Sequence, residues 1–386
     1  MSQQRKTDSI EIAVIGGGVI GLATGWRLAR SGKKVVVFEK KEAGRGAGWA
    51  SAGMLAPQTE AGYEQKDLLE FSLESLRKYP EFLRELTEDS GIKVEAGKTG
   101  SLFCALNRDD LERLQRFFDF RQRLGFPVMK LKGEETREKE PYLSPRVTAS
   151  VFVPDDWHLD SRKLLAALKT AFINKGGLIH EDSPVTEILL DGKTAAGIKV
   201  LDPKTKTEKE VKANTLVLAA GAWSSQIKGL PENLIPPIRP IKGMILNLKA
   251  ESCPLSHVIR AEGVYLVPKQ NGRLLVGATS EEKGYDVSPL AGGIKDLLQN
   301  AFDIVPGISE CPLEEIQIGL RPANRDHSPV LGPSPIQGLY YAAGHYRHGI
   351  LLAPMTALEV SHSVLTGDFE RLKPFSITRF FSSAAA

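Results

Sequence analysis

The stretch that most constrains this chain is Ile12 to Glu39, IAVIGGGVIGLATGWRLARSGKKVVVFE. An apolar β-rich run enters glycines at Gly16, Gly18 and Gly21, a helical pattern follows, and a second β-branched run, Val35 to Phe38, ends on Glu39. Strand, tight turn, helix, strand and acid in that register are what a dinucleotide requires. Gly16 permits the sharp turn, Gly18 clears the side chain where a pyrophosphate must approach, and Gly21 lets helix and strand pack closely. The helix start offers free N–H groups and the positive end of its dipole to phosphate. Glu39 can accept hydrogen bonds from ribose hydroxyls.

A chain of 386 residues exceeds what one core usually serves, so two domains are expected. The net charge of +3 is too small to imply nucleic acid or a membrane surface as partner. Cys104, Cys253 and Cys311 lack any CxxC spacing, which fits a reducing compartment, with each read as a small packed side chain. The polar start, Ser2 to Ser9, and the glycine-broken run behind it read as neither signal peptide nor membrane span. A cytoplasmic protein is expected.

Along the chain, KKEAGRGAGWASAGML (Lys40 to Leu55) brings bare backbone close to something bulky, read as a second phosphate or ring contact. Helices are predicted over Asp67 to Glu88, Asp109 to Gly125, Arg162 to Asn174 (capped by Asp160) and Ile294 to Phe302. Asn214 to Leu218, ending in Ala219-Ala220-Gly221, and Leu339 to Ala343 read as buried strands returning to the dinucleotide sheet. Ile241 to Leu248, Gly263 to Pro268 and Arg273 to Ala278 read as an antiparallel set, the last two joined at Asn271-Gly272, and such a set belongs in a second domain. Gly344 to Leu352 opens a last helix reaching Leu365, with Pro354 expected in its first turn. The predicted fold is an α/β Rossmann-like dinucleotide-binding domain (1–90, 155–228 and 321–386) interleaved with an α+β substrate domain on an antiparallel sheet (91–154 and 229–320).

The motifs VIGGGVIG, SAGMLAPQTE (Ser51 to Glu60), LVLAAGAWS, YLVPK (Tyr265 to Lys269), GLRP (Gly319 to Pro322) and AAGHYRHGILLAP (Ala343 to Pro354) carry a resemblance that covers nearly the whole length. The chain resembles the glycine oxidases of the D-amino-acid oxidase and sarcosine oxidase superfamily, in the branch supplying thiazole synthesis in thiamine formation. That resemblance implies FAD. Gly16, Gly18, Val19, Ile20 and Gly21 would cradle its pyrophosphate, with Glu39 and Lys40 at the adenosine ribose. Ala47, Gly48, Ala52, Gly53 and Met54 would line the route to the flavin ring, and Val185 would hold the adenine edge. His345, Tyr346, Arg347, His348, Gly349, Ile350 and Leu351 would wrap the isoalloxazine. Relatives usually carry a hydroxyl residue near Gly48 and often an amide at His348. No cysteine lies beside Arg321 or in the Gly344 loop, so the flavin would be bound non-covalently.

The resemblance further implies a small amino acid and O2 as reactants and a homo-oligomer, with a tetramer suggested. Arg321 is the candidate carboxylate anchor, because a guanidinium offers two parallel donors and stays charged. Tyr265 can add a hydroxyl donor, Arg347 closes the site or forms a structural ion pair, and Met54 forms an apolar wall near the α-carbon. The reaction implied is hydride transfer from the α-carbon of glycine, sarcosine or a small D-amino acid to flavin N5, giving imino or keto acid, ammonia and H2O2. A D-amino-acid or amine dehydrogenase of the same fold, using another electron acceptor, is the alternative.

Overall fold

The computed structural model describes residues 9–62, 65–270 and 272–384, the last three by backbone alone. Asn271, half of the expected Asn271-Gly272 turn, and the polar start before Ser9 lie outside the described residues, as does the very end of the tail.

The opening motif folds as its spacing requires. The strand Ile10–Ile15 runs parallel to Val35–Phe38 on one side and to the second half of Glu208–Leu218 on the other. Leu339–Ala343 adds to the far side of Glu208–Leu218, again parallel, and Leu178–His180 extends the other edge beyond Val35–Phe38. Glu208–Leu218 is longer than its buried apolar end suggested. Its first half pairs antiparallel with Thr194–Leu201, which in turn pairs with Val185–Asp191, so one strand serves a meander and then the parallel core. The helix Val19–Arg30 covers this sheet with Leu22, Ala23, Trp26 and Leu28 fully buried, against the helices Ser161–Asn174 and Gly349–Thr366.

The second sheet has eight strands in the order Leu313–Ala323, Arg239–Lys249, Arg273–Gly277, Val264–Pro268, Val258–Ala261, Ser101–Ala105, Ala149–Val153 and Met129–Lys132. Its pairings are antiparallel except that Val258–Ala261 runs parallel to Ser101–Ala105, a join between distant chain segments that no local turn can announce. One face buries Met244, Leu246, Leu266 and Val276 against Leu297, Ala301 and Ile304 of the helix Ala291–Ile304. The strand holding Arg321 stays in register with Arg239–Lys249 as far as Ala323, so this sheet continues past residue 321.

The last helix starts later than the sequence suggests, at Gly349, and Pro354 is therefore its sixth residue, not a member of its first turn. A proline there deprives the Ile350 carbonyl of its helical donor. The hydroxyl of Tyr79, on the long helix Lys66–Ser90, donates to that carbonyl, and Ser75 Oγ donates to the Leu351 carbonyl at 2.6 Å. Tyr79 thus satisfies the carbonyl that the proline orphans, while Ser75 lies between the Leu351 carbonyl and the Met355 N–H. This helix is long and apolar enough to cross a membrane, but about two thirds of it is packed inside the protein.

Candidate active site

The two sheets enclose one large cavity of about 1240 Å³. Every candidate residue named from the sequence lines it except Gly21. Gly21 sits behind the wall, where a Cβ would come within 1.9 Å of the Gly16 carbonyl oxygen. Its part in the turn is therefore helix–strand packing. Gly16 has φ +107°, and a Cβ there would meet the Ala219 carbonyl oxygen at 2.5 Å. Gly18 is different: a Cβ would meet nothing within 4 Å, so the space beside it belongs to the cavity.

Two helix N-termini open on this cavity. Val19–Arg30 presents Gly18, Val19 and Ile20, and Gly349–Thr366 presents Gly349, Ile350 and Leu351. Neither carries an acid in its first turn or a side-chain cap, so their N–H groups remain available to an anion. Glu39 closes the dinucleotide turn, accepting from the Gly17 N–H at 2.7 Å and the Lys41 N–H at 3.1 Å. Lys40 places its ammonium over the Trp223 ring, 2.9 Å from the centroid, and burial lowers its pKa to about 8. Val185 lines the same end. A bare-backbone turn, an acid and a dipole at one end, with a second dipole further along, suit a dinucleotide carrying an aromatic ring that gains negative charge on reduction.

The floor of the other end is the second sheet. Phe103, Arg260, Tyr265, Gly277 and Ile245 are cross-strand neighbours in successive strands, and all line the cavity. Arg321 lies two residues beyond Gly319 on the edge strand, and Gly319 pairs with Gly243. A Cβ at Gly243 would stand 2.3 Å from the Arg321 guanidinium, and one at Gly277 would stand 2.5 Å from the Tyr265 ring. These strand glycines let the arginine and the tyrosine lie flat on the sheet, with their polar ends side by side. Arg321 Nη1 donates to the Thr279 carbonyl at 3.0 Å, fixing the guanidinium. Burial raises the Tyr265 pKa, partly offset by Arg321 and Arg260, so its hydroxyl is a neutral donor.

Glu60 and Arg260 join this site, although neither was a candidate from the sequence. Arg260 Nη2 donates to Glu60 at 2.9 Å and lies 3.1 Å from the Met54 sulfur. Arg347 Nε and His348 Nδ1 approach the other Glu60 oxygen at 3.4 and 3.5 Å. Burial alone would raise Glu60, but Arg260, Arg347 and His348 outweigh it and hold it at about 2. Glu60 is itself positioned by Arg121, whose guanidinium donates to the Gln58, Thr59 and Ala61 carbonyls around it. The one sequence signal for Glu60 was the SAGMLAPQTE block that it closes. Arg347 is therefore ion-paired and also half exposed at the cavity mouth. His345 is a packed ring, with Nε2 3.0 Å from Thr356 Oγ1 and its pKa driven to about 3 by burial. Tyr346, half-buried in the cavity wall, stacks on His327 with ring centroids 4.5 Å apart.

His348 carries a testable consequence. Burial holds its pKa at about 4, with Glu60 opposing. Once unfolded it titrates near 6.5, so between these values the unfolded chain binds a proton that the native state refuses. The stability it supports is complete above the unfolded value and is lost as pH falls. We expect His348→Asn to abolish about 2 kcal/mol of the stability loss seen near pH 5 relative to neutral pH. Thermal unfolding of both proteins across that range checks this; parallel curves would refute it.

The family model of FAD dependent oxidoreductases, DAO, matches residues 11–363. A glycine oxidase of Geobacillus kaustophilus (strain HTA426) is 35% identical over 97% of this chain and 98% of its own length. A solved structure of glycine oxidase from Geobacillus kaustophilus superposes with a TM-score of 0.88 at 34% identity, covering 97% of this chain and 99% of that one. The bifunctional protein ThiO/ThiG of Trichormus variabilis is 30% identical over 97% of this chain, which spans 56% of that protein. With the glycine turn, the interleaved sheets and the two helix N-termini on one cavity, the match is one of sequence and architecture together: the chain belongs to the FAD-dependent oxidoreductase family.

Proposed function

We propose that this protein oxidatively deaminates glycine and small amines such as sarcosine and small D-amino acids, using FAD and O2 and releasing H2O2. We propose too that its imine product feeds thiamine thiazole synthesis. The observation that carries the reading is the Arg321–Tyr265 pair, held flat by Gly243 and Gly277 at the far end of the cavity from the dinucleotide turn. The names of the relatives support glycine as substrate, and the ThiO/ThiG relative supports the link to thiamine.

FAD held by the dinucleotide turn and the two helix N-termini would supply the two-electron acceptor for the α C–H, with O2 as the terminal oxidant. The chain does the rest. Arg321 takes the substrate carboxylate through two N–H donors, and Tyr265 donates a third hydrogen bond. Met54 limits the side chain, which favours glycine. Glu60 neutralises part of the charge of Arg260 and Arg347, so the strongest uncompensated cation near the floor is the carboxylate anchor. The amine must be neutral to give up a hydride equivalent, and a desolvated site shifts it that way. No side chain is assigned as general base.

In this reading 1–90, 155–228 and 321–386 hold FAD, and 91–154 and 229–320 hold substrate, with the shared strand Leu313–Ala323 bridging the two. A cytoplasmic homo-oligomer, in tetramer form, accompanies it. The experiment is anaerobic addition of glycine to the purified yellow protein, followed by air. Bleaching, then recovery with one H2O2 per glycine, is expected; bleaching with sluggish recovery in air would favour a dehydrogenase.

The sheet glycines give a sharper test. In Gly243→Ala the new methyl displaces the Arg321 guanidinium. The expected result is a rise in KM for glycine of about tenfold or more, equivalent to about 1.4 kcal/mol or more, with flavin content unchanged. An unaltered KM would show that the anchor does not need its seat.

A further inference from the structure

We propose that Cys253 and Cys311 form a dithiol site that hydrogen peroxide closes into a disulfide, so that the enzyme's own product staples its substrate domain. The source of the peroxide rests on the oxidase reading above; the site itself does not.

The two cysteines are 58 residues apart in the chain, yet their sulfurs lie 3.4 Å from one another. Cys253 sits in the turn after Arg239–Lys249, and Cys311 leads into Leu313–Ala323, the neighbouring strand. Gly307 makes the approach possible, since a Cβ there would stand 3.0 Å from the Cys253 Cβ. Cys253 is buried, whereas Cys311 is partly exposed, with its sulfur 3.7 Å from Ser252 Oγ and 3.6 Å from the Gly307 carbonyl. All three cysteines of the chain are thiols. A disulfide needs about 2.05 Å between sulfurs, and side-chain rotation can supply that shortening.

The exposures assign the roles. Cys311, the more exposed of the two, attacks peroxide as its thiolate: an S–O bond forms, the O–O bond breaks, and the departing hydroxide takes a proton to leave as water. The Cys253 sulfur then attacks the Cys311 sulfur, losing its proton; the S–S bond forms, the S–O bond breaks, and a second water leaves. Two thiols give up two electrons and two protons, and one peroxide becomes two waters. Burial pushes the Cys253 thiol up to about 12, and the neighbouring Cys311 thiol adds to it, so Cys253 does not react first. Oxidation of Cys311 removes that second contribution when Cys253 must act. Cys104, raised to about 12 by burial with its sulfur against the Leu102 carbonyl, stays reduced.

The staple closes one end of a strand pair whose other end bears the substrate anchor. Leu248 pairs with Leu313 near the cysteines, and Ile241 pairs with Arg321 at the opposite end. Closure therefore restricts the unfolded chain and raises the melting temperature without altering turnover.

The test uses the full-length holoprotein, reduced and desalted, with hydrogen peroxide added. Thiols counted after denaturation should fall from three to one, the intact mass should drop by two hydrogens, and a digest should yield a Cys253–Cys311 peptide. The melting temperature should rise and return on reduction. Cys311→Ser and Cys253→Ser should each abolish the linked peptide and the rise. Three surviving thiols, a cross-link to Cys104, or two oxygens added to Cys311 with Cys253 still free would overturn the proposal. In a second arm, glycine in air replaces added peroxide, with and without catalase. Closure that catalase prevents is expected; closure by added peroxide but not by glycine turnover leaves the site standing and tells against the oxidase reading.

Discussion

Replacing Arg321 with alanine should raise KM for glycine by about 100- to 1000-fold while the protein stays yellow, because the loss of one buried, hydrogen-bonded charge partner costs about 3–4 kcal/mol. Among the described residues, the Arg321 guanidinium is the one cation on the cavity floor that is not paired with Glu60; its Nη1 contact is the neutral Thr279 carbonyl. Its removal takes two donors from the carboxylate and leaves Tyr265 as the remaining anchor. The flavin spectrum should persist, since the nucleotide turn and both helix N-termini belong to the other sheet and its helices. Most of the loss should appear in KM and less in kcat, because a carboxylate is held equally well before and during C–H cleavage. Arg321→Lys keeps the charge and loses the fork, so it should fall between the two proteins. Steady-state kinetics with glycine, alongside the absorption spectrum, decides the matter; an unchanged KM in Arg321→Ala would remove the carboxylate assignment.

The second large effect belongs to the dinucleotide turn, where two neighbouring glycines should fail in different ways. In Gly21→Ala the new methyl would lie 1.9 Å from the Gly16 carbonyl oxygen, so helix and strand must separate. That overpacking should cost about 1–3 kcal/mol of stability. It also moves the Val19 and Ile20 N–H groups away from the phosphate position, and flavin affinity should fall about 100-fold or more, equivalent to about 3 kcal/mol. In Gly18→Ala the methyl meets no protein atom within 4 Å. Stability of the flavin-free protein should therefore hold, while flavin binding weakens because the methyl occupies the space of the pyrophosphate. Flavin titration and thermal unfolding of the two apoproteins separate the cases. Equal flavin affinity in Gly18→Ala and the parent would place the phosphate elsewhere.

The two glycines also show how far a pattern can be read. Spacing alone fixes that Gly16, Gly18 and Gly21 stand at a strand–helix turn, because each serves a backbone contact within the same short unit. It also tells them apart: Gly21 faces the strand, where a Cβ would meet the Gly16 carbonyl, and Gly18 faces open cavity. The sheet glycines were legible only as members of strands. Gly243 and Gly277 acquire a purpose only when Arg321 and Tyr265 cross over them from neighbouring strands, and that is a matter of register.

By itself, the sequence determined the opening strand–turn–helix–strand unit, the return of two later strands to that sheet, the antiparallel set and most helices. These rest on local periodicity and on caps such as Asp160, whose carboxylate accepts from the Arg162 and Lys163 N–H groups. Tertiary structure alone decided the rest. It set Pro354 inside a helix because Tyr79 reaches the orphaned Ile350 carbonyl from another helix. It joined Val258–Ala261 to Ser101–Ala105 in parallel, drew Arg260, Arg347 and His348 around Glu60, and set Cys253 beside Cys311. Each of those depends on groups far apart in the chain. Local energies choose helix, strand and turn, whereas the partner of a buried charge or sulfur is chosen only when the sheets close on one another.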